Sequence, residues 1–320
     1  MSALNKTQNN VDFQPAVLII GYRRHESVSE ILQICKFNKV SRIYIAVDGP
    51  KSESGAIDQQ KLIANVLSFE KEFTGKLFLN FRDENIGCAA SVLSACDWVF
   101  ENEQSAIILE DDCIPSNDFF IFSKLSLQPI STNPHIWLSC GTQFAPKFPE
   151  TDSWLLSHYA LTWGWCTTKE KWKEISISLR EPRPIESNEV SLWEKAYWNQ
   201  GSRRAQAGWV DVWDTILVQQ LQASSCFAIL PKVPLVTNTG NDPTATHTLG
   251  NSRWLNLELV QFETPHSSPQ YEEIVDLWLR KSFFGIGKRH LLTTAITRMR
   301  DYFKRGSRPL LPLLIRWSGS

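Results

Sequence analysis

Residues 105–112 read Ser-Ala-Ile-Ile-Leu-Glu-Asp-Asp, an apolar run that stops at three adjacent carboxylates, Glu110, Asp111 and Asp112. The apolar part fits a buried strand. The acids cannot continue into a core, because an unpaired buried charge is too costly to desolvate. They are therefore expected at the carboxyl end of a central strand, the edge of an open α/β sheet where ligands bind. Clustered carboxylates there suit a hard divalent cation such as Mg²⁺ or Mn²⁺, held by one or two carboxylates and completed by other oxygens. The same letters would also suit an acidic surface turn in which Cys113–Asp118 caps the next helix.

The elements that must position this triplet are legible in the first half of the chain. Strands are predicted at Ala16–Ile20, Arg42–Val47, Lys76–Phe81 and Ala106–Leu109, with helices at Ser27–Phe37, Ile57–Phe73 and Ala89–Phe100 between them. Repeated β-α-β units with short connections imply a mostly parallel, doubly wound α/β sheet. Each strand ends in polar residues: Arg23 and Arg24, then Asp48, then Arg82, then the triplet. All of these ends are expected along one edge of the sheet.

The second half alternates less regularly. Ile136–Ser139, Trp154–His158 and Cys226–Leu230 read as strands, Lys169–Trp172 and Asp211–Gln222 as helical, and 177–190 and 237–251 as loops, the first of them mobile. Thirteen tryptophans are clustered mainly between Trp137 and Trp254, which suits either stacking on sugars or a Trp-rich core. From Arg280 to Arg316 ten Lys or Arg face a single acid, Asp301, with apolar residues interleaved. Such a stretch reads as a membrane-surface or partner-binding helix, or as a solvated helix packed on the domain.

Composition narrows the class. A chain of 320 residues with 42% apolar content and net charge −1 supports a large core and carries no global attraction to nucleic acid. Seven scattered cysteines argue against a zinc site or a disulfide framework and for a reducing compartment. The polar residues Met1–Asn10 lack the apolar core of a signal peptide, and no apolar run approaches a membrane span. The expected location is cytoplasmic, or peripheral on the inner face of the plasma membrane.

From about Val17 to His247 the ordered motifs resemble a glycosyltransferase of the GT-A fold, in a bacterial group of nucleotide-sugar transferases related to N-acetylglucosaminyltransferase I. Gly21-Tyr-Arg-Arg24 resembles the family's Asn-Arg turn, with Tyr22 in place of Asn. Asp48-Gly-Pro50 resembles the nucleoside-binding aspartate, and Phe81-Arg-Asp-Glu-Asn-Ile-Gly-Cys88 the motif before the long helix. Glu110-Asp-Asp112 stands at the metal motif, Thr162-Trp-Gly-Trp165 resembles the acceptor-side turn, and Trp213-Asp214 the start of the catalytic-base helix, with an extra acid at Asp211. Pro231–Asn238 with Thr246-His247 resembles the closing loop.

The resemblance implies a domain over 15–265, nucleotide-binding in 15–112 and acceptor-binding in 113–265, between a disordered 1–14 and a basic tail 266–320. It implies that Arg23, Asp48, Arg82, Asn85, Gly87, Glu110 and Asp111 bind the nucleotide part of a nucleotide-sugar donor, probed first as a UDP-sugar. Asp112, helped by Asp111 and His247, would hold Mn²⁺ or Mg²⁺, and the helix that starts after Gly87 would favour a phosphate or sugar hydroxyl. Asp214 or Asp211 would be the general base of an inverting transfer to a glycan or lipid-linked acceptor in surface polysaccharide synthesis, with His158, Trp163, Gly164 and Trp165 on the acceptor side. The rivals are a sugar-phosphate nucleotidyltransferase, for which the turn at Gly21 has too few glycines, and a degenerate transferase that only binds a nucleotide.

Overall fold

The computed structural model describes residues 14–146, 152–240 and 254–287. The first half runs β1 (Ala16–Gly21), α1 (His25–Phe37), β2 (Arg42–Val47), α2 (Glu53–Glu70), β3 (Lys76–Phe81), α3 (Cys88–Asn102) and β4 (Ser105–Glu110). It continues through β5 (Cys113–Pro115), α4 (Asn117–Thr132), β6 (Ile136–Cys140), β7 (Trp154–Ser157), β8 (Trp165–Thr168) and α5 (Lys169–Arg180). The remainder is α6 (Leu192–Gln206), α7 (Asp214–Ala223), β9 (Phe227–Pro231), β10 (Val236–Asn238) and α8 (Glu273–Trp278), followed by a π-helical turn, Leu279–Phe283.

Alternation along the strands makes three layers. Leu18 and Ile20 of β1 face a core built with Val92, Ala95 and Val99 of α3, Trp172 and Ile175 of α5 and Leu217 of α7. Val17 and Ile19 face the other way, toward Val28 and Ile31 of α1, Leu62 and Val66 of α2, and Phe119 and Phe122 of α4. A strand covered on both faces has no polar side to show, which is why β1 and β4 read as continuous apolar runs. The expected mostly parallel α/β sheet is observed.

The main sheet has the order β3-β2-β1-β4-β8-β6-β9-β7. β1 to β4 are mutually parallel, β6 and β9 share their direction, and β8 and β7 are reversed. The chain leaves β1 toward β2 and β3 on one side and returns to β4 on the other, with Ile20 in register with Glu110. That reversal opens a crevice at the carboxyl ends of β1 and β4. The short strands β5 and β10 pair antiparallel as a separate ribbon directly after the acidic triplet.

Three sequence expectations change. Residues 177–190 are not one mobile loop: α5 extends to Arg180, and Ile185 is buried with its N–H donating to Asn199 Oδ1 at 2.9 Å. Helix α6 had no prediction; its low mean hydropathy hides it, although Ser191 supplies an N-cap. Residues 266–287, expected in the basic tail, pack on the domain, with Val275, Leu279 and Ile286 buried. The basic stretch from 288 onward lies outside the described residues, as do Met1–Asn10 and His247.

Helix α8 docks at the sheet edge opposite the crevice. The Asp276 carboxylate accepts from Ser157 Oγ at 2.5 Å and from the His158 N–H at 3.0 Å, while Arg280 pairs with Glu194 at 3.1 Å. Burial pushes the Asp276 carboxyl up to about 7, aided by Glu194 and opposed by the hydrogen bonds from Ser157, His158 and Tyr271. An acid raised above its unfolded value of about 3.9 keeps in the folded state a proton that the unfolded chain has lost. Its contribution therefore makes stability fall as pH rises from about 4 to about 7 and level off beyond. Asp276→Asn removes this titration, so the urea midpoint of the variant should change less across that window than that of the wild type. Equal slopes in paired urea melts would refute the assignment.

Candidate active site

The turn after β1 is built around one carboxylate. Asp111 Oδ2 accepts from three successive backbone N–H groups, Tyr22 at 2.8 Å, Arg23 at 3.3 Å and Arg24 at 3.4 Å. Its Oδ1 accepts from Arg24 Nη1 at 2.8 Å. Successive N–H groups curled about one point form an anion-binding nest, and here the anion is part of the protein. Asp111 is only 5% exposed, so it is a positioning group rather than one that faces solvent.

Asp48 does the same work at the end of β2. Its Oδ1 accepts from the N–H groups of Gly49 and Ile86, and its Oδ2 from Asn85 Nδ2 at 2.9 Å and the Gly87 N–H at 3.2 Å. Asn85 also donates to the Gly49 carbonyl, so 85–87 is stitched to β2. Gly49 is compelled by this approach, since a Cβ there would sit 2.1 Å from the Glu84 carbonyl carbon.

Asp211 completes the pattern from a distant segment. It crosses to the start of α3 and accepts from the Cys88 N–H at 2.7 Å and the Ala89 N–H at 2.9 Å. Gly87, at φ +91, makes room: a Cβ would lie 2.6 Å from Asp211 Oδ2. The expectation that this helix start receives a phosphate or sugar hydroxyl is corrected, because its first N–H groups are already satisfied by Asp211.

Between these groups lies a cavity of about 460 Å³. Six carboxylates line it (Asp48, Glu110, Asp111, Asp112, Asp211 and Asp214), against two cationic side chains, Arg24 and Lys51. Asp48, Asp111 and Asp211 each hold backbone N–H groups of a distant segment, whereas Asp112 Oδ1 accepts from the neighbouring Cys113 Sγ at 3.4 Å. Asp112 lies 3.5 Å from Arg24 Nη1, and burial followed by the charge of Asp111 pushes its carboxyl up. Burial, then Asp112, Asp214 and Asp111, push Glu110 up to about 8, with Arg24 opposing. Among the described residues no three His, Cys, Asp or Glu side chains are placed to hold a metal ion by themselves.

The ribbon β5–β10 brings a late segment over Asp112. The Thr239 N–H donates to the Asp112 carbonyl at 2.8 Å, and a Cβ at Gly240 would meet Asp112 Oδ2 at 2.6 Å. Asp214 opens α7 at the cavity mouth, its Oδ1 accepting from the Thr215 N–H at 2.7 Å. The preceding Trp213 is buried and packs on Trp165 with centroids 5.5 Å apart, which fixes where the helix begins.

Several expected site residues are elsewhere. Arg82 lies along α3, donating to Ser91 Oγ at 3.3 Å and Ser94 Oγ at 2.7 Å, and does not line the cavity. Arg23 lies outside it too, over the Tyr22 ring, while Arg24 enters. Trp165 is a core residue, 1% exposed, and Gly164, at φ +66, packs under Val236. His158 is at the opposite sheet edge, where β7 ends alongside the start of β9; its Nδ1 is 2.9 Å from the Cys226 carbonyl and its ring stacks on Phe227. Trp163 does line the cavity. Arg24 and Lys51 were missed. The pair Arg23-Arg24 was a signal, but it does not say which arginine turns inward.

No protein-family model and no curated protein matches the chain. Solved structures similar to it include the mannosyltransferase PcManGT from Pyrobaculum calidifontis in complex with GDP-Man and Mn²⁺, at 12% identity and TM-score 0.41, covering 66% of this chain and 69% of that one. Another is glucosyl-3-phosphoglycerate synthase from Mycobacterium tuberculosis with Mn²⁺, UDP and phosphoglyceric acid, at 10% identity and TM-score 0.32, covering 50% and 57%. A third is HddC from Yersinia pseudotuberculosis complexed with GMP-PN, at 12% identity and TM-score 0.33, covering 53% and 80%. With TM-scores below 0.5, these similarities set no reaction for this chain, which has to be read from the site.

Gly87→Ala should disturb the site without removing a charged group. The strained φ and the clash with Asp211 should cost about 1–3 kcal/mol in urea unfolding. Asp211→Ala, which only uncaps α3, should cost about 1 kcal/mol. A Gly87→Ala protein as stable as the wild type would show that Asp211 does not hold that helix start.

Proposed function

We propose that the cavity binds a nucleotide-diphosphate sugar together with Mn²⁺ or Mg²⁺ and transfers the sugar, with inversion, to a hydroxyl of a glycan or lipid-linked acceptor. The observation that carries this reading is the division of the six cavity carboxylates. Asp48, Asp111 and Asp211 hold the walls, while Glu110 and Asp112, whose carboxyls are pushed up by burial and by the neighbouring acids, crowd together with Asp214 in a space that holds Arg24 and Lys51. Such a space favours a divalent cation over a bare anion. The few ligands offered among the described residues fit an ion that takes one or two carboxylates and draws its other oxygens from a diphosphate.

Asp112, with Glu110 beside it, would hold the cation, and His247 of the segment after Gly240 is proposed to join it. The cation, when bound, neutralises charge that builds on the leaving diphosphate. Asp111 is reassigned from ligand to positioning group: it fixes the β1 turn and aims Arg24, which can pair with a phosphate by a charge-assisted bond. Asp48 keeps the nucleoside side of the cavity closed through 85–87. Asp214 is the proposed base, because both oxygens of Asp211 are engaged at α3. A base on the face opposite the leaving group gives in-line attack and inversion at the anomeric carbon. Surface polysaccharide synthesis is the proposed setting.

Calorimetric titration of UDP, GDP and dTDP, with Mn²⁺ and then with EDTA, tests this reading. Wild type should bind at least one of them only with metal, Asp112→Asn should lose that binding, and Asp214→Asn should keep it while transfer falls by about 10²-fold or more. No metal-dependent binding of any of the three would refute the donor site. Release of pyrophosphate from a nucleoside triphosphate would replace glycosyl transfer by nucleotidyl transfer.

No described helix is long and apolar enough to cross a membrane. We further propose that the basic stretch from Arg280 to Arg316, chiefly its eight Lys or Arg after Gly287, draws the protein to anionic lipid. A chain ending at Gly287 should then cosediment less with phosphatidylserine vesicles than the full chain; equal cosedimentation would refute the attachment.

A further inference from the structure

A second, smaller recess of about 90 Å³ opens beside the cavity and shares Thr162, Trp163 and Asp214 with it. Its walls are aromatic: Phe144, Trp163, Trp198, Phe283 and Phe284. The rings brace one another. Phe283 stacks on Phe144 at 4.5 Å, Trp163 meets Phe144 edge-on at 5.0 Å, and Trp198 meets Phe284 edge-on at 4.9 Å. Among the described residues no Lys or Arg lines the recess, and the charged group on its wall is the Asp214 carboxylate. Where about 10–15 Å³ of such volume admits one water, the recess takes a group no larger than about one sugar ring.

We propose that this recess selects the acceptor, and selects it as a neutral pyranoside that lays an apolar C–H face or an acyl methyl against the rings. Aromatic walls favour such a face, because burying it needs no polar partner. A phosphate or carboxylate on the same sugar would meet no cation among the described lining residues and would approach Asp214, a cost that disfavours it. A hydroxyl on the rim of that sugar lies toward Asp214, the proposed base. Phe283 and Phe284 thereby become specificity-determining residues, supplied by a segment that the sequence assigns to a tail. This inference rests on the glycosyl-transfer reading for the word acceptor, but the recess itself is tested without a donor.

Saturation-transfer NMR on the full chain, with methyl glycosides of glucose, galactose and N-acetylglucosamine against glucose 1-phosphate and glucuronic acid, is the experiment. At least one neutral methyl glycoside should bind through its C–H face or acetamido methyl, and the two anionic sugars should not compete. Phe284→Ala should weaken that binding at least fivefold. Phe283→Leu, which keeps an apolar wall of similar size, guards against loss of folding and should weaken it less but measurably. Preferred binding of an anionic sugar, absence of binding by every neutral glycoside, or equal affinity in both variants would overturn the proposal. A protein that binds the glycoside but no metal nucleotide would keep the recess and discard the donor reading, so the two failures are distinguishable.

Discussion

The site depends on carboxylates filling backbone nests. A loop that wraps toward a ligand leaves several N–H groups pointing into a concave space, and each must find an acceptor. In this chain the acceptors are its own side chains. Asp111 gathers the turn after β1, Asp48 gathers 85–87, and Asp211 gathers the start of α3. Each bond joins segments far apart in sequence, so the crevice walls are tied to one another and not only to the sheet beneath.

This choice has an electrostatic consequence. Nests filled by protein anions are closed to a ligand's phosphate, so the turn after β1, residues 85–87 and the start of α3 do not offer these N–H groups to an anion. Among the described residues, the cationic side chains that line the cavity are Arg24 and Lys51, and the remaining carboxylates are the proposed seat of a cation. Arg24 is shared between Asp111 at 2.8 Å and Asp112 at 3.5 Å, and so answers to both the structural and the chemical carboxylate. A bound cation at Asp112 would loosen the second contact, while Asp111 would keep Arg24 oriented. The arginine's orientation and the cation site are thus parts of one balance.

What the sequence disclosed follows the range of the forces involved. The four parallel strands and their helices were legible because burial on both faces writes uninterrupted apolar runs, and the acids at 110–112 were legible because no core tolerates them. Which acid does what was not legible. Glu110, Asp111 and Asp112 are neighbours in sequence, yet Asp111 turns toward the nest while Asp112 turns toward the β5–β10 ribbon, and that outcome is set by N–H groups 87–89 residues away. The same holds for Arg23 and Arg24. Trp165 and His158 were assigned by pattern to the acceptor side, whereas strand direction decides their fate: β8 carries Trp165 into the core, and β7 delivers His158 to the far edge. The three-residue strands β5 and β10 carry too few residues to show a period at all.

The C-terminal segment shows how a feature with no signal of its own can still complete a site. Helix α8 has six residues, too few to be stable alone, and is held by Asp276 at the end of β7 and by the pair Arg280–Glu194. Glu194 in turn accepts from Tyr159, whose ring stacks on Phe284. The polar anchors lie at the edge away from the crevice, but the residues they deliver, Phe283 and Phe284, stand beside Asp214. Apolar rings can pack against many surfaces and do not fix a segment's register. Buried polar contacts do, because a shift by one residue would take Asp276 from Ser157 and His158 and Arg280 from Glu194. The precision of the aromatic recess near the proposed base therefore comes from polar contacts at the other end of the sheet.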